Sequence, residues 1–303
     1  MANQTIANPM RGSAQISKRP RRFTSKRFRE NFVRTVATIL VTIGAVIALF
    51  PIAWMLSTSL KGPVEALKMP PNWIPSKFHW ENYYEALVVD VPFARYFYNS
   101  FYYAIMVMVA EVVSVSFIAF GFARLRAPGR NALFLLVLAT LMLPYHATLI
   151  PQYYLFSKLH LTNSYFPLIF PHWFGSAYLI FMVRQFYLGI PSEYDEAALI
   201  EGASYFAIWY KIIIPLSKAT LGAMAIMSFM YHYNDFIGPM IYINDNYNFP
   251  VQLGLSMFRA PYGGTPYHLL MAASLAVIVP CVVIFFIFQR YFIQGVVVSG
   301  VKG

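Results

Sequence analysis

Apolar residues along this chain come in long blocks, separated by polar or proline-rich stretches, and the blocks have the length of membrane spans. A hydrocarbon core takes about 20 mostly apolar residues in helical form. Six segments meet that length: 33–57, 99–122, 132–156, 165–184, 219–243 and 269–292. An even number of crossings returns both termini to one side. Residues 58–98 carry Pro63, Pro70, Pro71, Pro75 and Pro92, which break any helix. Their Trp73, Trp80, Tyr83 and Tyr84 suit the membrane interface or a docked partner. Residues 157–164 make a short turn. Residues 244–268 are rich in Asn, Gly, Pro and Tyr without a periodic apolar pattern, so they read as an ordered loop. The connection 185–218 stands apart, because it is compact, patterned and opened by acids.

Charge gives the orientation. Arg11, Lys18, Arg19, Arg21, Arg22, Lys26, Arg27, Arg29 and Arg34 precede or open the first apolar block, opposed only by Glu30. With Arg124, Arg126, Arg130, Arg184, Lys211, Lys218, Arg290 and Lys302 they make seventeen basic residues on one side. Lys61, Lys68, Lys77, Arg95, Lys158 and Arg259 make six on the other. That asymmetry predicts both termini in the cytoplasm. Hydrophobic residues are 58% of the chain and charged residues 12%, about half the charge fraction of a soluble domain. Mean hydropathy is +0.54. The net charge of +11 therefore reads as the flank of a first membrane helix rather than as a nucleic-acid arm. Residues 1–32 are expected to be a disordered basic tail, and residues 33–303 the membrane domain. The first block exceeds a signal-peptide core and no A-x-A site follows it, so an uncleaved anchor is expected. The lone Cys281 lies in an apolar run, where burial is the default.

The insert has an internal plan. Ser192 after Pro191 resembles a helix start, with Glu193, Asp195 and Glu196 in the first turn complementing the helix dipole. Ala197 and Ala198 are small enough for another backbone or a bulky side chain to approach. Gly202 permits a sharp change of direction. Tyr205, Phe206, Ile208 and Trp209 begin a second short helix, which Pro215 is expected to end just before the fifth span. From these residues alone the element is either an amphipathic hairpin on the membrane surface or a projection offered to a soluble partner.

The spacing Glu-Ala-Ala, three residues, Gly, nine residues, Ile-x-Leu-Pro resembles the signature loop of permease subunits of ABC importers. It is matched at Glu196, Ala197, Ala198, Gly202, Ile212 and Pro215, with Ile214 where Leu is usual, a volume-conserving change. FARLRAPGRN (122–131), LMLPYHATLIPQYYLFSKL (141–159), YNDF (233–236) and QRYFIQGVVVSGVKG (289–303) also resemble the carbohydrate-importer branch. Within it they are similar to the smaller six-span permease of maltose-type importers, over residues 33–303. The resemblance implies the all-α fold of a type I ABC importer permease and makes Glu196–Gly202 a coupling helix seated in a cleft of a cytoplasmic ATPase. Glu196 would pair with a basic residue of that cleft, and Ala197, Ala198 and Gly202 would allow close seating. It further implies a second permease subunit, two ATPase subunits that carry the ATP and magnesium, and an external solute-binding protein. Tyr262, Gly263 and Gly264, near the tip of the 244–268 loop, would reach toward that binding protein.

The chain has no phosphate-binding loop of the G-x-x-x-x-G-K-[ST] type, so no nucleotide or other cofactor is expected on it, and it is not expected to be an enzyme. His79, His146, His160, His172, His232 and His268 never form H-E-x-x-H, and each reads as an interfacial or core residue rather than a metal ligand. Two carboxylates fall inside spans, where each costs about 2.5–3.5 kcal/mol. Glu111 shares a face with Ser100 and Ser114, a polar stripe expected to face the interior. Asp235 follows Asn234 toward the outer end of the fifth span. For Glu111, Asn234 and Asp235 two readings stand: a hydrogen-bonded helix contact, or a lining of the translocation path, where carboxylates and amides bind sugar hydroxyls. Tyr102, Tyr103, Trp173 and Tyr231 read as packing or lipid-facing aromatics. The sequence thus predicts a six-span permease subunit for a carbohydrate. A self-sufficient carrier or channel is the alternative, and it would call for an internal repeat and a midplane ion site, neither of which is evident.

Overall fold

The computed structural model describes residues 23–89, 91–259 and 264–300, and all regular structure among them is helical. Helix α1 is Phe23–Ser59, followed by the short α2 (Pro63–Ala66) and α3 (Glu81–Tyr84), the latter continued by a π-turn, Glu85–Val89. Helix α4 is Phe93–Arg124, α5 is Arg130–Ala139 with a 3-10 turn to Met142, and α6 is Tyr145–Lys158. Helix α7 (Phe166–Ile169) leads through a 3-10 segment, Phe170–Phe174, into α8 (Ala177–Leu188). Then come α9 (Glu193–Ile200), α10 (Tyr205–Ile208), a π-turn (Trp209–Ile213), α11 (Ile214–Leu216) and α12 (Lys218–Tyr233). Helices α13 (Ile237–Tyr242), α14 (Val251–Leu255) and α15 (Tyr267–Gly300) complete the order.

Among the described residues, four helical stretches are long and apolar enough to cross a membrane alone: Phe28–Ser59, Phe93–Arg124, Phe166–Leu188 and Tyr267–Gln289. Two bent pairs bring the number to six if each is one span. The expected third span, 132–156, is such a pair, bent by 97° between Met142 and Tyr145. Leu143 precedes Pro144, and the proline ring holds it extended at φ −82°, ψ 115°. The expected fifth span, 219–243, is not one helix either. Helix α12 ends at Tyr233, residues 234–236 are not helical, and α13 follows. Asp235 Oδ1 accepts the Gly238 amide, the local side-chain bond by which aspartate competes with helical pairing. Helix α12 joins the preceding stretch Tyr205–Leu216 at an 82° bend. In the fourth span the helix breaks at Gly175, whose φ of 79° and ψ of 155° only glycine adopts readily.

The chain divides into two compact units, Met1–Ala53 and Trp54–Gly303. In the first, α1 starts at Phe23, ten residues before the expected boundary, so the tail expected to be disordered to residue 32 is helical from Phe23 on. Residues 23–32 hold neither proline nor glycine, and their lysine and arginines favour helix. Its apolar side chains, Ile39, Leu40, Val41 and Val46 among them, are exposed, as suits a helix whose solvent is lipid.

The second unit is organised on α4, which packs against α8 and α12. Its buried stripe runs Tyr96, Ser100, Tyr103, Ala104, Val107, Ala110, Glu111, Ser114, Val115 and Ala119, at helical spacing. The other face exposes Tyr98, Ile105, Val109, Val113 and Phe117. This is the pattern of a membrane helix: its small and polar residues lie on the face packed against protein, and the outward face carries aromatic and branched apolar ones. The connection 58–98 is tied rather than loose. Asn82 Nδ2 donates to the carbonyls of Ser59 and Lys61, and Lys61 Nζ lies 4.5 Å from the centre of the Trp54 ring.

Residues 244–259, expected as loop, contain α14 and fold back onto the start of α4. Asn99 Nδ2 donates to the carbonyls of Tyr247 and Phe249, and the Val251 amide donates to Ser100 Oγ at 2.8 Å. Ser100 therefore serves this segment, although it shares the buried face of Glu111. Val251, Leu253 and Phe258 are buried, so the missing periodicity reflects a short helix wrapped on a core rather than exposure.

Candidate functional site

The insert is held at both ends by backbone chemistry and in its middle by packing. Helix α9 carries Glu193, Asp195 and Glu196 in its first turn, with Ser192 Oγ donating to Glu196 Oε1 at 3.4 Å. Gly202 ends it at φ +84°, where its amide donates to Leu199 O, and Ala203 N donates to Ala198 O at 2.9 Å. Ser204 then caps α10, its hydroxyl accepting the Ala207 amide. Ile208, Trp209 and Ile213 are buried in one core with Val115 and Ala119 of α4 and Val183 and Tyr187 of α8. Full burial of an isoleucine contributes about 1.5–3 kcal/mol, so Ile208 and Ile213 alone anchor the second half firmly.

Pro215 does not end this helix as expected. It occupies the start of α11, and the helical stretch runs on to Leu216. The wider π-turn just before it accommodates a residue that has no amide to donate.

The six signature residues divide by exposure. Glu196, Ala197, Gly202 and Pro215 are exposed, whereas Ala198 is buried in the chain's own core and Ile212 is half-buried against it. Close approach by a partner is thus open at Ala197 and not at Ala198, whose small size serves internal packing. A Cβ placed on Gly202 would meet nothing within 4 Å, so its requirement within this chain is conformational. Gly202→Ala is expected to weaken the end of α9 by about 1–2 kcal/mol, the cost of a left-handed alanine. Amide exchange across 197–203 should accelerate accordingly, with Gly202→Asn intermediate; equal exchange in all three would show that the turn is not held at positive φ.

Around these residues lie Leu199, Ile200, Tyr205 and Phe206, all exposed, with Ile200 at 87% and Phe206 at 63%. A polar, acid-opened helix therefore presents an apolar tip. Its base is fixed by a basic residue that lies outside the signature spacing. Arg124, the last residue of α4, places Nε 3.2 Å from Asp195 Oδ2 and donates from Nη2 to Ile190 O at 2.7 Å. Burial pushes the Asp195 carboxyl above its ordinary range, and the Arg124 guanidinium opposes that rise without cancelling it. Arg124 stands in the FARLRAPGRN motif, which was the available signal.

Glu111 and Asp235 each use at least one carboxylate oxygen inside the protein. Glu111 is 3% exposed, and its Oε1 lies 2.8 Å from His172 Nδ1. The His172 and His232 rings meet edge to face at 4.6 Å, and Tyr103 packs edge-on to His232 at 5.7 Å. Tyr103 also donates to Asp235 Oδ2 at 2.9 Å. Asn234 is exposed; its Nδ2 donates to Met230 O and its Oδ1 accepts from Gln252 Nε2. The structure thus gathers Glu111 with two histidines that the sequence offered only as isolated residues, and gives Asn234 other partners. Of the loop-tip candidates, Tyr262 and Gly263 lie outside the described residues, and Gly264 has φ +78° with open space around it.

The described residues thus form an all-helical protein with several membrane-length apolar helices and a short, clamped, exposed helix between two of them. Residues 113–298 match the family described as the binding-protein-dependent transport system inner membrane component, and the chain belongs to that family. The arabinooligosaccharides transport system permease protein AraQ of Halalkalibacterium halodurans is 35% identical over 87% of this chain and 96% of its own. The sn-glycerol-3-phosphate transport system permease protein UgpE of Rhizobium meliloti is 32% identical over 86% of this chain and 95% of its own. A chain in the crystal structure of a bacterial ABC transporter involved in the import of the acidic polysaccharide alginate superposes with a TM-score of 0.76. It is 21% identical and covers 87% of this chain and 98% of that one, which shows the shared fold.

Proposed function

We propose that this chain forms, with a second permease subunit, the translocation pathway for a carbohydrate delivered by an external solute-binding protein. The observation that carries the reading is α9: an exposed helix on the Glu-Ala-Ala…Gly spacing, clamped by Arg124 and offering Ile200 and Phe206. Two ATPase subunits bind ATP and magnesium, and one of them receives this element in a surface cleft, with Glu196, Ala197 and Gly202 at the contact and Ile212 and Pro215 behind it. Both termini lie on the cytoplasmic side, in keeping with the seventeen-to-six distribution of basic residues. The name of the AraQ relatives supports an oligosaccharide as cargo. The UgpE relative favours a second reading, a polyol phosphate.

Asn234, exposed beside Gln252, is the amide here that a cargo hydroxyl can reach. Asp235 supports it through Tyr103, and Glu111 stands apart from the path. Tyr262, Gly263 and Gly264 are the residues assigned by this reading to contact with the binding protein. Purification of the chain in mild detergent tests the assembly: a second permease and an ATPase should come with it. A chain that transports alone in liposomes would overturn the reading in favour of a self-sufficient carrier. Cargo is then read from the ligand of the binding protein encoded beside it.

A further inference from the structure

We propose that Glu111, His172 and His232 form a binding site for a divalent transition-metal ion of the zinc type, joining α4, the 170–174 segment and α12. One donor atom from each residue lies within 4.8 Å of those of the other two. The donor set of two imidazoles and a carboxylate is one that zinc accepts, with a fourth position left for water. An ion centred among atoms at that spacing sits at most about 2.8 Å from each, so small side-chain rotations complete bonds of about 2.0–2.2 Å.

The second observation is the state of the unused atoms. His232 is 3% exposed; its Nδ1 faces the Ser228 carbonyl at 2.8 Å and must donate to it, which leaves the Nε2 lone pair free. That Nε2 and Glu111 Oε2 are both buried without a hydrogen-bond partner. Buried polar atoms of this kind are ordinarily hydrogen-bonded or metal-bound. Fixing Nδ1 on a carbonyl is also how proteins set the tautomer of a ligating histidine. Ser114 Oγ donates to His172 O at 3.2 Å and holds the third ligand's backbone, while the His172 side chain, 30% exposed, gives an ion a way in. The three residues come from three separate elements, so a bound ion would tie them together and resist their relative movement.

The test uses the full-length chain in lipid nanodiscs, stripped with chelator and titrated with zinc chloride by calorimetry. One saturable site per chain is expected, weakened at least about 10-fold by His232→Ala, His172→Ala or Glu111→Gln and unchanged by His146→Ala, an exposed histidine. No saturable binding by the unaltered chain would overturn the proposal, as would undiminished binding by His232→Ala. Should a variant fail to fold, X-ray absorption of the zinc-loaded unaltered chain decides: two imidazoles in the coordination shell support the site, and a shell of oxygen alone refutes it.

Discussion

Uptake by the assembled transporter is expected to fall about 100-fold when Glu196 is replaced by lysine, with the amount of membrane-inserted chain unchanged. Within the chain Glu196 does little: it is exposed and makes one long contact, 3.4 Å, with Ser192 Oγ. Losing an acid from the first turn of α9 costs the helix only about 0.3–1 kcal/mol. Breaking a charge pair at a docked interface costs about 2–5 kcal/mol, and placing like charges together adds to it. The docking loss therefore dominates. Glu193→Lys separates the two effects, because it sits in the same turn and carries the same dipole penalty. Equal loss of uptake in both variants would assign the defect to the helix itself, and full uptake with Glu196→Lys would remove this residue from the ATPase contact.

How far the sequence could be read depended on whether the physics was local. Helix α9 was legible from Ser192 to Gly202 because acids, alanines and a glycine act on their own turn of backbone. The helical centres of the spans were legible by length and apolarity, but their interruptions were not. Pro144 was visible, yet the apolar run on both sides masked a 97° bend. Asn234 and Asp235 were placed inside a helix because their neighbours are apolar, whereas Asp235 spends its oxygens on Gly238 and Tyr103. Contacts between distant positions left the least trace. His172 and Glu111 are 61 residues apart, and Ser100 and Val251 are 151 apart. No periodicity links such pairs, and only the packing of the 170–174 segment and α12 against α4 brings the histidines to the carboxylate. Ala198 illustrates the remaining ambiguity: a small residue reads the same whether it admits a partner or fills the chain's own core.

Arg124→Met is expected to loosen α9 from its seat by about 3 kcal/mol, since removing one partner of a largely buried ion pair leaves the other charge uncompensated. Methionine retains much of the side-chain bulk, so lost packing contributes little. The Asp195 carboxyl, already above its ordinary range through burial, would rise further without the guanidinium. A carboxyl whose folded value is raised favours the folded state most at low pH, and that stability is lost as pH rises through the folded value. The variant's deficit should therefore be large at about pH 7 and shrink as the pH falls toward the ordinary carboxylate range near 3.9. Thermal unfolding of the purified chain at about pH 7 and about pH 5 reads this directly: the variant's midpoint should approach that of the unaltered protein at the lower pH. Asp195→Asn combined with Arg124→Met removes the stranded charge and should abolish the pH dependence. A deficit that is the same at both pH values, or that survives in the double variant, would mean that the Ile190 carbonyl bond, rather than the ion pair, is what Arg124 contributes to the seat.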